Sequence, residues 1–295
     1  MRLLIAPALS LLLAASGAVP GTPWPDGNPS AASGGIRLLG PMPPGHPRRV
    51  VSLAPSMTDI VIALDKADRL VGVSKFDDAP EVRKVPRVGG FLDPSVEAVV
   101  ALRPDLALWL TDGGALPAVS KIAELGIPVL AIPVIGIDDV LRSCRAVGRA
   151  LGDAAAGERL AAGLEASLAR TRARVAALPA RRVLLIVGRE PLVVAGPGSY
   201  PDALLSIAGG ANVAEGTRPW PVYPLEKAVA ANPDLVLDAA VNEPAEGMAR
   251  LAAIPAVRAG RVARLPNDDA LRPGPRLVRA LDDLLRAMHP EARLP

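Results

Sequence analysis

The chain has 295 residues, 50% of them hydrophobic, with 33 Lys and Arg against 30 Asp and Glu, a formal net charge of +3 and a single Cys. That is enough apolar material for a substantial core, which excludes a disordered chain, and too polar a composition for a multi-span membrane protein. Scattered arginines without a basic run argue against a nucleic-acid partner, and one Cys excludes an internal disulfide or a Cys-rich metal centre.

In chain order, Met1-Arg2 precedes an apolar run from Leu3 to Ala15, and Ser16-Gly17-Ala18 reads as a cleavage site. Residues 1–18 therefore read as a secretory signal peptide, shorter than the roughly 20 residues that span a bilayer. The expected location is the periplasm. The only Cys, Cys144, lies far from this site, so a lipid anchor through a Cys is not expected. Residues 19–47 are rich in Pro, Gly and Ser and show no period, which predicts a leader without regular structure; Trp24 and His46 fall inside it. Ordered structure should begin at Arg48. A strand at Arg49–Leu53 is followed by a helix carrying Ile60, Val61 and Leu64 with Ser56 or Thr58 as its cap. Further strands are expected at Leu70–Val73, Leu106–Leu110 and Pro128–Ile132. A helix opened by Asp93-Pro94 runs to about Leu102, and another ends before Gly126. Strands alternating with helices imply a parallel sheet, so residues 48–137 read as an α/β lobe.

Residues 138–178 differ. No Pro occurs from Ile137 to Leu178, and apolar residues recur at helical spacing through Val140, Cys144, Val147, Leu151, Leu160, Leu164 and Leu168. This predicts one long helix, or two in line with a break near Gly152-Asp153. Cys144 lies on its apolar face. From residue 179 to 295 the alternation resumes, with strands at Arg182–Val187, Leu192–Ala195, Leu235–Leu237 and Arg261–Leu265 and a closing helix from about Pro275 to Met288. The fold class is α/β, two similar lobes joined by a long rigid inter-lobe helix.

An internal repeat supports two lobes of one plan. Residues 97–108 read EAVVALRPDLAL and residues 226–237 read EKAVAANPDLVL, at an offset of 129 with seven of twelve positions identical. Each copy is a helix, a Pro-Asp break and a buried strand, and each carries one Glu in its first turn, Glu97 and Glu226. A favourable place on the helix dipole accounts for an acid there; it does not account for its being the shared side chain. No phosphate loop or dinucleotide fingerprint occurs, and Gly196-Pro197-Gly198-Ser199 reads as a turn after a strand, not as a nucleophile elbow. With only His46 and His289, no Ser-His-Asp arrangement or metal cluster is evident, so binding is favoured over catalysis.

These features resemble the periplasmic binding proteins of the helical-backbone class, which serve ABC importers for iron-siderophores, heme and cobalamin. The likeness rests on RRVVSLAPSMTDIVIAL, LVGVSKFDDAP, the doubled Glu…PDL segments and NDDALRPGPRLVRALDDLL, and covers about Arg48 to His289. It implies a monomeric, non-enzymatic receptor that captures a ligand between its lobes. It also implies partners, a membrane permease and its ATPase, with Glu97 and Glu226 docking on the permease. Cobalamin-binding members resemble it most. By that likeness Phe76, Phe91, Trp109 and Trp220 would face the ligand, joined by the polar contacts Asp268 and Arg272. The alternative for Phe76, Phe91 and Trp109 is a place in the core. No cofactor is expected beyond the ligand, a cobalt corrinoid or ferric chelate. Anionic ferric siderophores would instead call on Arg87, Arg189, Arg218, Arg272 and Arg276. Heme would call on an axial ligand, for which Tyr200 and Tyr223 are the only tyrosines. An exported α/β enzyme with an unrecognised site is the alternative of a different class.

Overall fold

The computed structural model describes residues 35–42, 45–111, 114–216 and 218–290; the expected signal peptide, and the leader as far as residue 34, lie outside the described residues. Two five-stranded sheets are present, each flanked by helices. The first holds β1 (Arg37–Leu39), β2 (Val50–Ser52), β3 (Leu70–Gly72), β4 (Leu106–Leu110) and β5 (Val129–Ile132) in the order β1-β5-β4-β2-β3. Its strands are linked through α1 (Pro55–Ala63), α2 (Val96–Ala101) and α3 (Leu116–Glu124). Every residue of β4 is buried, as a central parallel strand covered on both faces requires. One expectation needs correction: β1 lies in the stretch read as an unstructured leader. It pairs antiparallel with β5 from Arg37↔Ala131 to Leu39↔Val129, and buries Ile36 and Leu38. Three residues among Pro and Gly are too few to display a strand period.

The second sheet holds β6 (Arg181–Arg189), β7 (Leu192–Val194), β8 (Gly210–Asn212), β9 (Leu235–Asp238) and β10 (Val262–Arg264). Its order is β10-β9-β6-β7, with β8 also on β6. Around it lie α6 (Tyr200–Ile207), α7 (Leu225–Ala231), α8 (Pro255–Arg258) and α9 (Leu277–Met288).

The repeated segments do the same structural work in both lobes. Helices α2 and α7 are each followed by a left-handed residue, Arg103 (φ 45°) and Asn232 (φ 42°), and then by a Pro that prevents continuation. The Asp after that Pro clamps the neighbouring strand. Asp105 accepts the backbone N–H groups of Arg48 and Arg49, both at 2.9 Å, and Asp234 accepts that of Arg182 at 3.0 Å. Arg49 and Arg182 reach back to the open helix ends, donating to the carbonyls of Leu102 and Ala231 at 2.6 Å each. The shared Pro and Asp are thereby explained. Glu97 and Glu226 take no part in this clamp and stand exposed in the first turns of α2 and α7.

Helices α4 (Ile137–Ala150) and α5 (Ala154–Val175) break where expected, at Gly152-Asp153, but they are not in line. The chain turns back, and α5 packs along α4. At the crossing a Cβ on Gly148 would stand 2.7 Å from the Gly157 Cα, so only glycine permits the approach. Arg145 bridges Glu158 and Glu165 of α5 at 2.8 Å each. Asp153 caps α5 by accepting the Ala156 N–H at 2.9 Å and pairs with Lys66 of the first lobe at 3.1 Å. The pair of helices carries one continuous core between the lobes. Ile60, Leu108 and Ile132 on one side join Leu185, Leu204 and Leu284 on the other through Cys144, Val147, Leu164 and Leu168. Burial pushes the Cys144 thiol up to about 12, which leaves it inert.

Candidate functional site

A cleft of about 560 Å³ lies between the lobes. It is formed where loops leave the carboxyl ends of strands, the usual ligand position in open α/β sheets. The first lobe contributes the start of α1 (Pro55, Ser56), Phe76, Phe91, Leu110 and Ile135. The second contributes Ser199 and Tyr200 at the start of α6, Trp220, and the segment Asp268–Pro273. Ser199 caps α6 by accepting the Asp202 N–H at 3.3 Å, so the Gly-Pro-Gly-Ser stretch is the loop that leads into this cap.

Part of the cleft wall is aromatic. Phe76 and Phe91 meet edge to face, ring centroids 5.9 Å apart, and the Lys75 ammonium sits 5.2 Å over the Phe76 ring. Lys75 is itself paired with Asp93 at 3.3 Å. The bend that presents Phe91 depends on Gly89, whose φ is +99° and whose Cβ would stand 2.6 Å from the Asp93 carbonyl. Trp220 faces the cleft from the other lobe. Phe91 and Trp220 each precede the exposed Glu of their lobe by six residues, so the repeat brings matching aromatic positions to opposite walls. Phe76 is 50% exposed and Trp220 47%, both open to a ligand.

A partly buried ion cluster beside the cleft ties the lobes together. Arg272, 8% exposed, donates to Asp78 at 2.8 Å and to Asp268 at 2.9 Å, and stands 3.8 Å from Asp59. Arg276 pairs with Asp59 at 2.8 Å and with Asp78 at 2.9 Å. Asp59 belongs to α1 and Asp78 follows β3, whereas both arginines precede α9, so each of these contacts except Arg272–Asp268 crosses between lobes. Burial raises Asp59 to about 6 against the opposing pull of Arg276 and Arg272. Burial would also raise Asp78, but hydrogen bonds from Arg276 and Arg272 outweigh it and hold that carboxyl at about 2.

Of the residues expected at the ligand, the fold brings Phe76, Phe91, Trp220, Asp268 and Arg272 to one cleft. Trp109 is the correction. It is 4% exposed and packs with Val119 and Ile122 behind the sheet. Side chains alternate along a strand, so the cleft-facing neighbour is Leu110. The five arginines do not converge either. Arg189 is buried against Asp238 at 2.6 Å and fixes the chain at Ala240 and Pro244. Arg276 belongs to the cross-lobe cluster, Arg87 and Arg218 are exposed outside the cleft lining, and only Arg272 lines it. Tyr223 is buried under the Glu215 N–H, which it accepts at 3.2 Å. Tyr200 lines the cleft, but its hydroxyl is buried beside Gly274, and burial drives its pKa well above the usual phenol value. Ser56, Leu110, Asp59 and Asp78 were not assigned to the site from the sequence. The period of two along Leu106–Leu110 sets Leu110 and Trp109 on opposite faces without saying which meets the cleft, and nothing local marks the two aspartates. Among the described residues, no group of three His, Cys, Asp or Glu side chains is placed to hold a metal ion.

A family model described as a periplasmic binding protein matches residues 50–268, a span that takes in every strand except β1 and most of the cleft wall. The chain belongs to the periplasmic binding protein family. A vitamin B12-binding protein of Salmonella typhimurium is 30% identical over 191 residues, 64% of this chain and 71% of that protein. An uncharacterized ABC transporter substrate-binding lipoprotein of Bacillus subtilis is 28% identical over 256 residues, 83% of this chain and 81% of that protein. Among solved structures, a periplasmic heme-binding protein from Roseiflexus sp. RS-1 superposes with a TM-score of 0.74 at 30% identity, covering 84% of this chain and all of that one. Membership in this family makes the chain a substrate-binding component of an ABC transporter.

Proposed function

We propose that this periplasmic binding protein captures a corrinoid of the cobalamin type in its inter-lobe cleft and delivers it, unchanged, to a membrane permease driven by an ATPase. The observation that carries this reading is the pairing of aromatic walls from opposite lobes, Phe76 and Phe91 against Trp220, around a mostly apolar space with a few polar groups in its wall. Aromatic faces suit a flat macrocycle, and a few convergent polar groups suit its rim. The likeness to vitamin B12-binding proteins supports the ligand class. Glu97 and Glu226 are the docking residues: exposed carboxylates on rigid helices in separate lobes give a permease two fixed points whose spacing reports the lobe arrangement. A periplasmic location accords with residues 1–18 reading as a signal peptide.

The likeness to a heme-binding protein favours a second reading, with heme as ligand. Against it stands the cleft's own chemistry, since its one tyrosine keeps the hydroxyl buried rather than turned to a metal. A corrinoid that brings its own axial base needs no such group. Calorimetric titration with cyanocobalamin, hemin and a ferric catecholate distinguishes these. Saturable one-to-one binding of cyanocobalamin alone is the expected result; binding of hemin alone would overturn the corrinoid reading and leave the transport role standing.

A further inference from the structure

The cleft wall shows an arginine to the ligand, yet that cation is already paired with carboxylates of the protein. Arg272 has Asp78 on one nitrogen and Asp268 on another, with Asp59 behind. Arg276 is held by Asp59 and Asp78, and Arg279 by Asp269 at 3.0 Å. Asp77 adds a further buried carboxyl beside Asp59. Acidic groups therefore outnumber the guanidiniums of this cluster. Beside Phe76, Lys75 has its own partner in Asp93. The N-termini of α1 and α6 also face the cleft and would attract an anion. Each helix supplies a carboxylate of its own, Asp59 in α1 and Asp202 in α6, the latter accepting the Gly198 N–H at 2.9 Å.

A ligand edged with carboxylates would share Arg272 with the carboxylates already on it and lie against Asp268, which forms part of the wall. A ligand edged with neutral amides leaves the cluster intact. Its N–H groups also find acceptors there, since a carboxylate accepts several hydrogen bonds. We infer that the carboxylate-rich cross-lobe cluster selects the ligand by charge: it admits a macrocycle whose rim is neutral amide and rejects one whose rim is anionic, with Asp78 keeping Arg272 unavailable. This rests on the cleft being the ligand site, as proposed above.

The monocarboxylic acids of cyanocobalamin, in which one rim amide is hydrolysed, differ from the parent by one added negative charge on the same macrocycle. In calorimetric titrations of the chain near neutral pH, the acids should bind roughly tenfold more weakly or worse than cyanocobalamin. Asp78 is 56% exposed and outside the cleft lining, so Asp78→Asn should fold and should narrow that gap by roughly threefold or more. Asp78→Glu, which keeps the charge, should restore it. Acids that bind as tightly as the amide, or a gap that Asp78→Asn leaves unmoved, would overturn the inference. If the wild type binds neither corrinoid, the corrinoid reading alone fails, and hemin with its pair of propionates decides charge selection. Hemin captured only by Asp78→Asn supports it; hemin captured by the wild type, or by neither protein, overturns it.

Discussion

Trp220 sits between two prolines in the cleft wall with 47% of its surface exposed, so truncating it tests the aromatic wall with little disturbance of the core. A tryptophan side chain offers up to about 250 Å² for burial, which leaves roughly 120 Å² for a ligand to cover. At ~25 cal/mol per Å² full coverage contributes about 3 kcal/mol, and coverage of one face about half of that. Trp220→Ala should therefore raise the Kd for cyanocobalamin between roughly tenfold and a hundredfold, most of it in the dissociation rate. Trp220→Phe should recover part of the loss, because a smaller ring still covers the macrocycle. Calorimetry is the suitable assay, since the substitution removes one of the fluorophores. A change under roughly threefold would refute the placement of this ring against the ligand.

Reversing both docking charges, Glu97→Arg with Glu226→Arg, should leave ligand affinity unchanged while abolishing uptake in whole cells; retained uptake would dismiss the docking assignment. Asp59, raised by burial to about 6 in the folded chain, takes up its proton before the unfolded chain does at 3.8. Its contribution is thus complete below the unfolded value and lost as pH rises through 6, by up to about 3 kcal/mol. Urea midpoints of wild type and Asp59→Asn should accordingly diverge in favour of the wild type as pH falls from about 7 to about 4, and parallel midpoints would contradict this. Gly148→Ala forces α4 and α5 apart and should cost about 1–3 kcal/mol in urea unfolding. Gly163→Ala, on an open face of α5, should instead stabilise by about 0.5–1 kcal/mol, so equal effects would reject the close crossing.

Local pattern and repetition carried much of this protein openly. Runs such as Leu106–Leu110 and Leu235–Leu237 announce buried strands because a central parallel strand excludes polar side chains on both faces. The doubled Pro-Asp segment announces two lobes because the same helix end and the same strand clamp are needed twice. Aromatic residues are so few that Phe76, Phe91 and Trp220 could be singled out before their common cleft was known. What depends on distance in three dimensions was not legible. Trp109 and Leu110 are neighbours in the chain, and only the sheet's orientation decides which of them meets the cleft. Arginines at 189, 272 and 276 look alike in sequence. Their different fates follow from the carboxylates that folding brings from far along the chain, Asp238 to the first and Asp59 and Asp78 to the others. An isolated residue type states what a group can bind, whereas a buried charge is defined by its partners, and those partners are assembled only by folding.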